Sequence, residues 1–347
     1  MVLLFSKEVN GMSEIRQNLI SREWVIIATE RAKRPDHFLK PSVKKTPASH
    51  VPDCPFCTGN EEKNTPGETY RHSDDNGWKV RVVPNRYPTL VSEGDRVRSV
   101  NGIYRTVSGV GIHEVIIEHP AHNLTIALMS QNEVADILRA YRSRYREIRK
   151  DPRIECIIIF KNHGEAAGAS LEHPHSQLVA TPIVPSQVRD RIQDAIHFLD
   201  NTGECVFCNM LRLELAAKER IVHESNHFVA FVPFAALSPF HLWLFPRRHT
   251  SSFDDISDQE IDDLALNLKT VLAKLYHGLG NPDFNYCIRS VPTDEHQSEY
   301  FHWYLAIIPK VIRTAGFELG SGIFVNTALP EASAKFLREV SPAGDDG

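Results

Sequence analysis

The sequence predicts an α+β protein made of two tandem, duplicated units, each with an antiparallel sheet and a packed helix. Three observations predict this. The chain has 347 residues, of which 42% are hydrophobic and 24% charged, which is enough to bury two ordinary cores and too apolar for disorder. A CxxC pair occurs twice, as Cys54-Pro-Phe-Cys57 and Cys205-Val-Phe-Cys208. Each pair is followed by the same series of histidine, capped helix, strand and histidine.

The first predicted element is a strand with the apolar core Trp24-Val25-Ile26-Ile27. Residues 1–11 precede all predicted structure, and Met12 offers an alternative start. The polar segments 36–76 and 92–103 contain Pro and Gly and are predicted to form loops.

Two capping boxes predict the start of one long helix in each unit. Ser130-Gln-Asn-Glu133 lies eight residues after His122, and Ser257-Asp-Gln-Glu260 lies eight after His249. Apolar residues then recur at helical spacing: Val134, Ile137, Leu138, Tyr141, Tyr145 and Ile148 in the first helix; Ile261, Leu264, Leu268, Val271, Leu272 and Leu275 in the second. The pairs Asp151-Pro152 and Asn281-Pro282 should end the helices, and a strand should then lead to the last histidine of each unit.

This duplication divides the chain into an N-terminal unit at 1–187, a C-terminal unit at 188–340 and a tail at 341–347. The net charge of −5 and the absence of a long basic block argue against a nucleic-acid partner. Neither a signal-length apolar segment at the N-terminus nor a run of about 18 apolar residues elsewhere is present, so we expect a cytoplasmic protein without a membrane partner.

Each CxxC pair is expected to bind zinc, because two thiolates and two later histidines complete a tetrahedral shell. The expected ligands are Cys54, Cys57, His122 and His173 at the first site, and Cys205, Cys208, His249 and His302 at the second. Two alternatives compete with zinc binding at these residues. A redox dithiol needs a CxxC at a helix N-terminus, whereas both pairs are expected in loops. His122 and His249 could instead be polar residues at strand ends.

The two units differ where the first has His173-Pro-His175 and the second has His302-Trp-Tyr304. Residues two apart on a strand share a face, so His175 should lie beside the expected ligand His173 with its imidazole free. A neutral imidazole is a competent nucleophile toward phosphorus. The alternative is that His175 is a core histidine without chemistry.

A phosphate-binding segment is expected next to His175. The small residues between Lys161 and Ser170 allow backbone N–H groups to approach an anion, and Gln177 could donate to the same oxygens. Arg31 and Arg34 could bind a sugar phosphate, although a solvated basic turn would explain them as well.

These residues resemble the galactose-1-phosphate uridylyltransferase family, a two-domain branch of the histidine-triad superfamily. The likeness runs from Arg16 to Val340. The matching motifs are Glu23-Trp24-Val25, Arg31-Ala-Lys-Arg34-Pro35, Cys54-Pro-Phe-Cys57, Val83-Pro-Asn85, His122, Asn162-x-Gly164, Gly168-x-Ser170 and His173-Pro-His175-x-Gln177.

The resemblance implies a fold of tandem histidine-triad-like domains. It also implies a nucleotidyltransferase with a ping-pong mechanism, in which His175 becomes nucleotidylated. The roles of the other site residues follow from the same resemblance. His173 is a zinc ligand, Gly168, Ser170 and Gln177 lie at the phosphates, Asn85 and Asn162 contact the nucleotide, and Arg31 and Arg34 contact the sugar phosphate. It also implies two structural Zn²⁺ ions, a nucleotide sugar and a sugar 1-phosphate or phosphate as substrates, and a homodimer.

Two departures bear on the nucleotide. The second CxxC resembles the branch that phosphorolyses ADP-glucose, and Arg86 follows Asn85 where many uridylyltransferases have an acidic residue. The His173-Pro-His175 form is that of the uridylyltransferases. We therefore expect transfer of uridylyl from UDP-glucose to a hexose 1-phosphate first, and adenylyl transfer from ADP-glucose to phosphate second. A zinc-stapled nucleotide-binding protein without turnover is a third hypothesis, and a hydrolase of the triad type is disfavoured because position 177 is Gln rather than His.

Overall fold

The computed structural model describes residues 13–28, 47–63 and 67–343. Arg31 and Arg34, like the alternative start at Met12, lie outside these ranges. The strands are β1 (Glu14–Gln17), β2 (Trp24–Ile27), β3 (Tyr70–Asp74), β4 (Gly77–Pro84), β5 (Arg98–Asn101), β6 (Tyr104–Val107), β7 (Ile112–Ile117), β8 (Cys156–His163), β9 (His175–Thr181), β10 (Ile221–Glu224), β11 (Phe228–Phe231), β12 (Leu242–Pro246), β13 (Phe284–Arg289), β14 (Tyr304–Pro309) and β15 (Phe324–Asn326). The helices are α1 (Gln131–Ile148), α2 (Ser186–Thr202), α3 (Val206–Ala217), α4 (Asp258–Leu279), α5 (Gly316–Ser321) and α6 (Pro330–Glu339).

Ten strands form one sheet to which both predicted units contribute. Their order is β10-β11-β12-β14-β13-β8-β9-β7-β4-β3, with antiparallel pairing between neighbours. The two halves meet where β8 pairs with β13, in a register that sets Asn162 opposite Asn285. The duplicated units therefore do not form separate sheets, and the C-terminal half lies directly beside the strand that leads to the candidate site.

The two long helices begin and pack as the sequence predicts. Ser130 and Ser257 are their N-caps, and each makes a reciprocal capping box with the glutamate three residues on. All twelve residues of the predicted apolar stripes are buried, and they cover one face of the sheet. The helices also contact each other, with an ion pair of 2.5 Å between Arg139 and Asp262.

Two smaller sheets complete the described structure. The predicted first strand is confirmed as β2, which pairs antiparallel with β1 and parallel with β15 near the C-terminus. The predictions of loops over 36–76 and 92–103 are each wrong in part, because β3 lies at Tyr70–Asp74 and because β5 and β6 form an exposed hairpin over 98–107. Its two-residue turn is Gly102-Ile103, between the paired residues Asn101 and Tyr104, and Gly102 at the first position has φ +61°, a conformation that favours glycine. No helix of the described residues is long and apolar enough to cross a membrane.

Candidate active site and metal centres

The structure brings the four expected ligands of the first cluster together. Cys54, Cys57, His122 and His173 are all buried, and their ligand atoms lie within 4.8 Å of one another. The Cys57 Sγ is 3.5 Å from His122 Nδ1 and 3.6 Å from His173 Nδ1. A tetrahedral Zn²⁺ with its usual bond lengths to sulfur and nitrogen separates such ligands by about 3.5 Å. The donor set and the spacing therefore fit zinc.

The protonation of His173 also fits a metal ligand. Its Nε2–H donates to the carbonyl oxygen of His119 at 2.7 Å, which leaves the Nδ1 lone pair facing the cysteines. Burial lowers the pKa of His173 to about 3, so the ring is neutral. Burial also lowers the pKa of His122. Both imidazoles are thus in the form that binds a cation.

The second cluster assembles from the start of α3 and from the loops that follow β12 and precede β14. Cys205, Cys208 and His249 have ligand atoms within 4.8 Å of one another, with the Cys208 Sγ 3.1 Å from His249 Nδ1. His302 approaches the same Cys208 Sγ with Nδ1 at 3.5 Å. Hydrogen bonding with Cys208 lowers the pKa of Cys205 against the opposing effect of burial, and hydrogen bonding with His249 lowers it further, so this cysteine is the one that becomes a thiolate more readily.

The expectation that both CxxC pairs lie in loops is wrong for the second pair. Cys205 is the N-cap of α3, with no side-chain cap hydrogen bond, so none of the usual capping residues marks this helix start in the sequence. A helix N-terminus favours thiolates and so supplies part of what a redox dithiol needs. The convergence of His249 and His302 on Cys208 nevertheless makes a metal-binding set the better explanation of this pair.

His175 begins β9 and is oriented by the first cluster. Its Nδ1–H donates to the carbonyl oxygen of His173 at 2.8 Å, which leaves the Nε2 lone pair unused by that hydrogen bond. The residue is 6% exposed, and burial, followed by the charge of Lys161, lowers its pKa. A neutral ring with a fixed tautomer is suited to nucleophilic attack through Nε2.

A buried ion pair, which no local sequence pattern predicts, lies beside the start of β9. Lys161 Nζ donates to Glu118 Oε2 at 2.5 Å and to the carbonyl oxygen of His175 at 2.9 Å. The Lys161 and Glu118 side chains are 2% and 0% exposed. The two residues belong to the strand segments on either side of β9, so only the order of strands in the sheet shows that they meet.

The expected phosphate-binding segment is a tight loop held by the C-terminal half. Gly164 has φ +84°, and a Cβ there would lie 2.1 Å from the Asp283 carboxylate, which accepts the backbone N–H of Ala166 at 2.7 Å. Asn285 Nδ2 donates to Asn162 Oδ1 and to the carbonyl oxygen of Ala167, each at 2.8 Å. The loop thus takes its shape from side chains of β13 and the turn before it.

Two further residues of this loop lie on its outer side. Gly168 follows a short 3-10 turn with φ +87°, and its carbonyl oxygen lies 3.5 Å from Asn162 Nδ2. Ser170 is exposed. Both residues are exposed, but the backbone N–H groups of Ala167, Gly168 and Ala169 donate to carbonyl oxygens of the loop itself, so the structure does not present these N–H groups to an anion as the sequence predicts.

Asn85 and Gln177 both reach His113, a residue that the sequence analysis assigned no role. The His113 Nε2 is 2.9 Å from Gln177 Oε1 and 3.0 Å from Asn85 Nδ2. Gln177 shares its face of β9 with His175. His113 on β7 therefore lies between Asn85 and Gln177, two residues that are expected to contact the ligand.

The second unit has no imidazole nucleophile at the equivalent place. Tyr304 is 2% exposed and stacks on Phe245, with ring centroids 4.7 Å apart and planes 7° from parallel. Trp243 packs against both rings. An aromatic cluster thus fills the position that His175 occupies in the first unit.

Comparison with known proteins places this site in a family context. The family model described as galactose-1-phosphate uridyl transferase, N-terminal domain, matches residues 4–185, and the model of its C-terminal domain matches residues 191–341. The ADP-glucose phosphorylase of Arabidopsis thaliana is 38% identical over 337 residues, which is 96% of this chain and 94% of that protein. The galactose-1-phosphate uridylyltransferase of Thermotoga maritima is 31% identical over 338 residues, 94% of this chain and 98% of that protein. A crystal structure of an Arabidopsis thaliana ADP-glucose phosphorylase with bound ADP-glucose matches with TM-score 0.79 and 35% identity, covering 95% of this chain and 99% of that one.

Proposed function

This chain belongs to the galactose-1-phosphate uridylyltransferase family and is a nucleotidyltransferase, and from that premise we propose that it transfers a nucleotidyl group through His175. The observation that carries the proposal is the hydrogen bond from His175 Nδ1–H to the His173 carbonyl, which leaves Nε2 as the nucleophilic atom. Asn162 lies near the end of β8, the strand that pairs with β9, and the expected phosphate-binding loop follows it.

The reaction consists of two displacements at one phosphorus. His175 Nε2 attacks the α-phosphorus of a nucleoside diphosphate sugar, an N–P bond forms, and the P–O bond to the sugar 1-phosphate breaks. A second phosphate group then attacks the nucleotidyl-histidine and frees Nε2. Gln177 and Ser170 stabilise charge on the phosphate oxygens. Gly168, whose own N–H donates to the Glu165 carbonyl oxygen at 2.9 Å, contributes by allowing the phosphates to approach the backbone where no side chain intervenes.

The remaining ligand contacts are proposed as follows. Asn85 and Asn162 bind the nucleotide, and Arg31 and Arg34, outside the described residues, bind the sugar phosphate. Both cysteine–histidine clusters hold structural Zn²⁺, which when bound supplies a rigid tetrahedral crosslink. At the first cluster this keeps His173 in place, and His173 in turn orients His175 through its carbonyl group.

Two donors are candidates, and the comparisons favour ADP-glucose. The sequence motifs alone placed UDP-glucose and a hexose 1-phosphate acceptor first, on the His173-Pro-His175 form. The greater identity to an ADP-glucose phosphorylase, 38% against 31%, reverses that order. The assembled second cluster at Cys205 and Cys208 supports the same branch. We therefore put phosphorolysis of ADP-glucose to ADP and glucose 1-phosphate first.

Intact-mass spectrometry tests both the nucleophile and the nucleotide. The protein is incubated separately with ADP-glucose and with UDP-glucose, without an acceptor, and the added nucleoside monophosphate is measured. We expect an AMP adduct that is absent in His175→Ala, is retained in the matched control His197→Ala at an exposed histidine, and is discharged by inorganic phosphate. A UMP adduct discharged by galactose 1-phosphate would identify a uridylyltransferase instead. No adduct from either donor would refute covalent transfer and leave a nucleotide-binding protein.

The assembly and location are also proposals. A homodimer follows from the family resemblance, and light scattering coupled to gel filtration measures it. None of the six cysteines, all of which lie in the described part of the chain, forms a disulfide, and this supports a location in the reducing cytoplasm.

A further inference from the structure

We propose that His113 is a positioning residue for the transfer reaction, and that it acts by turning the Gln177 amide so that its NH₂ group faces the transferred phosphoryl group. The inference rests on the proposed function, because it assigns His113 a part in nucleotidyl transfer at His175. It starts from the hydrogen bonds that surround the imidazole of His113, which is 9% exposed.

The tautomer of His113 follows from a backbone group. The backbone N–H of Thr89 donates to His113 Nδ1 at 3.1 Å, and a backbone amide nitrogen can only donate. Nδ1 therefore carries the lone pair, and the proton of the ring is on Nε2. The Nε2–H must find an acceptor, and the atom 2.9 Å away is the carbonyl oxygen Oε1 of Gln177.

This hydrogen bond determines which end of the Gln177 amide is left for a ligand. With Oε1 bound to His113, the NH₂ group points away from β7. Gln177 and His175 lie on the same face of β9, so this NH₂ group is directed to the space in front of the nucleophile. The reversed amide would present a carbonyl oxygen there and repel a phosphate.

The same imidazole also lies next to the side chain of Asn85, to which its protonated Nε2 gives no hydrogen bond. The backbone N–H of Tyr87 donates to Asn85 Oδ1 at 2.9 Å, so Asn85 Nδ2 is the atom 3.0 Å from His113 Nε2. Since Nε2 has no lone pair in this tautomer, it cannot accept from Asn85. The contact at 3.0 Å is therefore between two donors and adds no hydrogen bond, while the backbone N–H of Asn85 donates to the His113 carbonyl oxygen at 2.8 Å.

The test measures the single-turnover rate of adduct formation in four variants. His113→Phe keeps a planar ring and removes both nitrogens, and we expect a rate about 10- to 100-fold lower, with unchanged zinc content and thermal stability. His113→Gln replaces Nε2 by an amide nitrogen that can donate, so we expect a rate within about threefold of the wild type. In a Gln177→Ala background, adding His113→Phe should lower the rate no further, because the two residues act as one unit.

The outcomes separate this proposal from the proposed function. Adduct formation at the wild-type rate in His113→Phe would overturn the role of His113 and leave nucleotidyl transfer intact. An equal loss on adding His113→Phe to wild type and to Gln177→Ala would also overturn it, because His113 would then not act through Gln177. Absence of any adduct on the wild-type protein would refute covalent transfer itself, and the role of His113 would fall with it.

Discussion

Replacing Lys161 by methionine should destabilise the protein far more than the loss of one surface charge. Lys161 Nζ lies 2.5 Å from Glu118 Oε2 and 2.9 Å from the His175 carbonyl oxygen, and neither charged side chain is more than 2% exposed. Methionine fills a similar volume but leaves the Glu118 carboxylate buried without its countercharge. Removing one partner of a buried ion pair costs about 3–5 kcal/mol. At about 2 °C per kcal/mol for a chain of this size, the melting temperature should fall by roughly 6–10 °C.

The assay is urea unfolding at pH 7.5 of the zinc-loaded protein, followed by tryptophan fluorescence. Lys150→Met is the matched control, because Lys150 and Glu147 form an ion pair of 2.7 Å with side chains 72% and 61% exposed. Solvent screens such a pair, so the control should leave the free energy of unfolding nearly unchanged.

A double variant distinguishes a buried charge from lost packing. Lys161→Met with Glu118→Gln removes both charges, so it should be more stable than Lys161→Met alone, although it carries one more substitution. Free energies that simply add, or a Lys161→Met variant as stable as the Lys150→Met control, would refute the reasoning.

Three further predictions follow from single contacts. Although burial by itself raises the pKa of Glu260, hydrogen bonds led by that from Arg248 lower it to about 2 from its ordinary value of 4.5. The stabilisation is therefore present above about pH 4.5 and lost as the pH falls toward 2. Because Arg248 is 53% exposed and solvent screens the pair, the pKa shift is discounted, and wild type should exceed Glu260→Gln by about 2 kcal/mol in urea unfolding at pH 7 and by progressively less below pH 4.5. A difference that does not change with pH would contradict this. Asn285→Ala releases Asn162 and should weaken nucleotide-sugar binding about tenfold by calorimetry, whereas unchanged affinity would show that the Asn162 amide does not need this support. Cys205→Ser should reduce bound zinc from two ions per chain to one by elemental analysis while adduct formation persists, and retention of both ions would contradict the assigned second cluster.

Local pattern was sufficient for the long helices. The capping boxes at Ser130 and Ser257 and the apolar stripes after them are interactions among residues a few positions apart, so they can be recognised before any tertiary contact is known. The turn at Gly102-Ile103 is equally local, because a glycine at its first position adopts the positive φ that such a turn requires. The helix that starts at Cys205 could not be found this way, since no capping side chain marks it.

The sequence by itself determined the two-unit α+β organisation, the candidate metal ligands and the candidate nucleophile, because the repeat sets the same chemical groups in the same order twice. Only the tertiary structure decided how β8, β9 and β13 lie side by side. That order brings Lys161 to Glu118 across β9 and Asn285 to Asn162 across the two halves, and the pairing of β7 with β9 brings His113 to Gln177. These partners are 43 to 123 residues apart in the chain, and strand order depends on the packing of the whole sheet, which local periodicity does not encode.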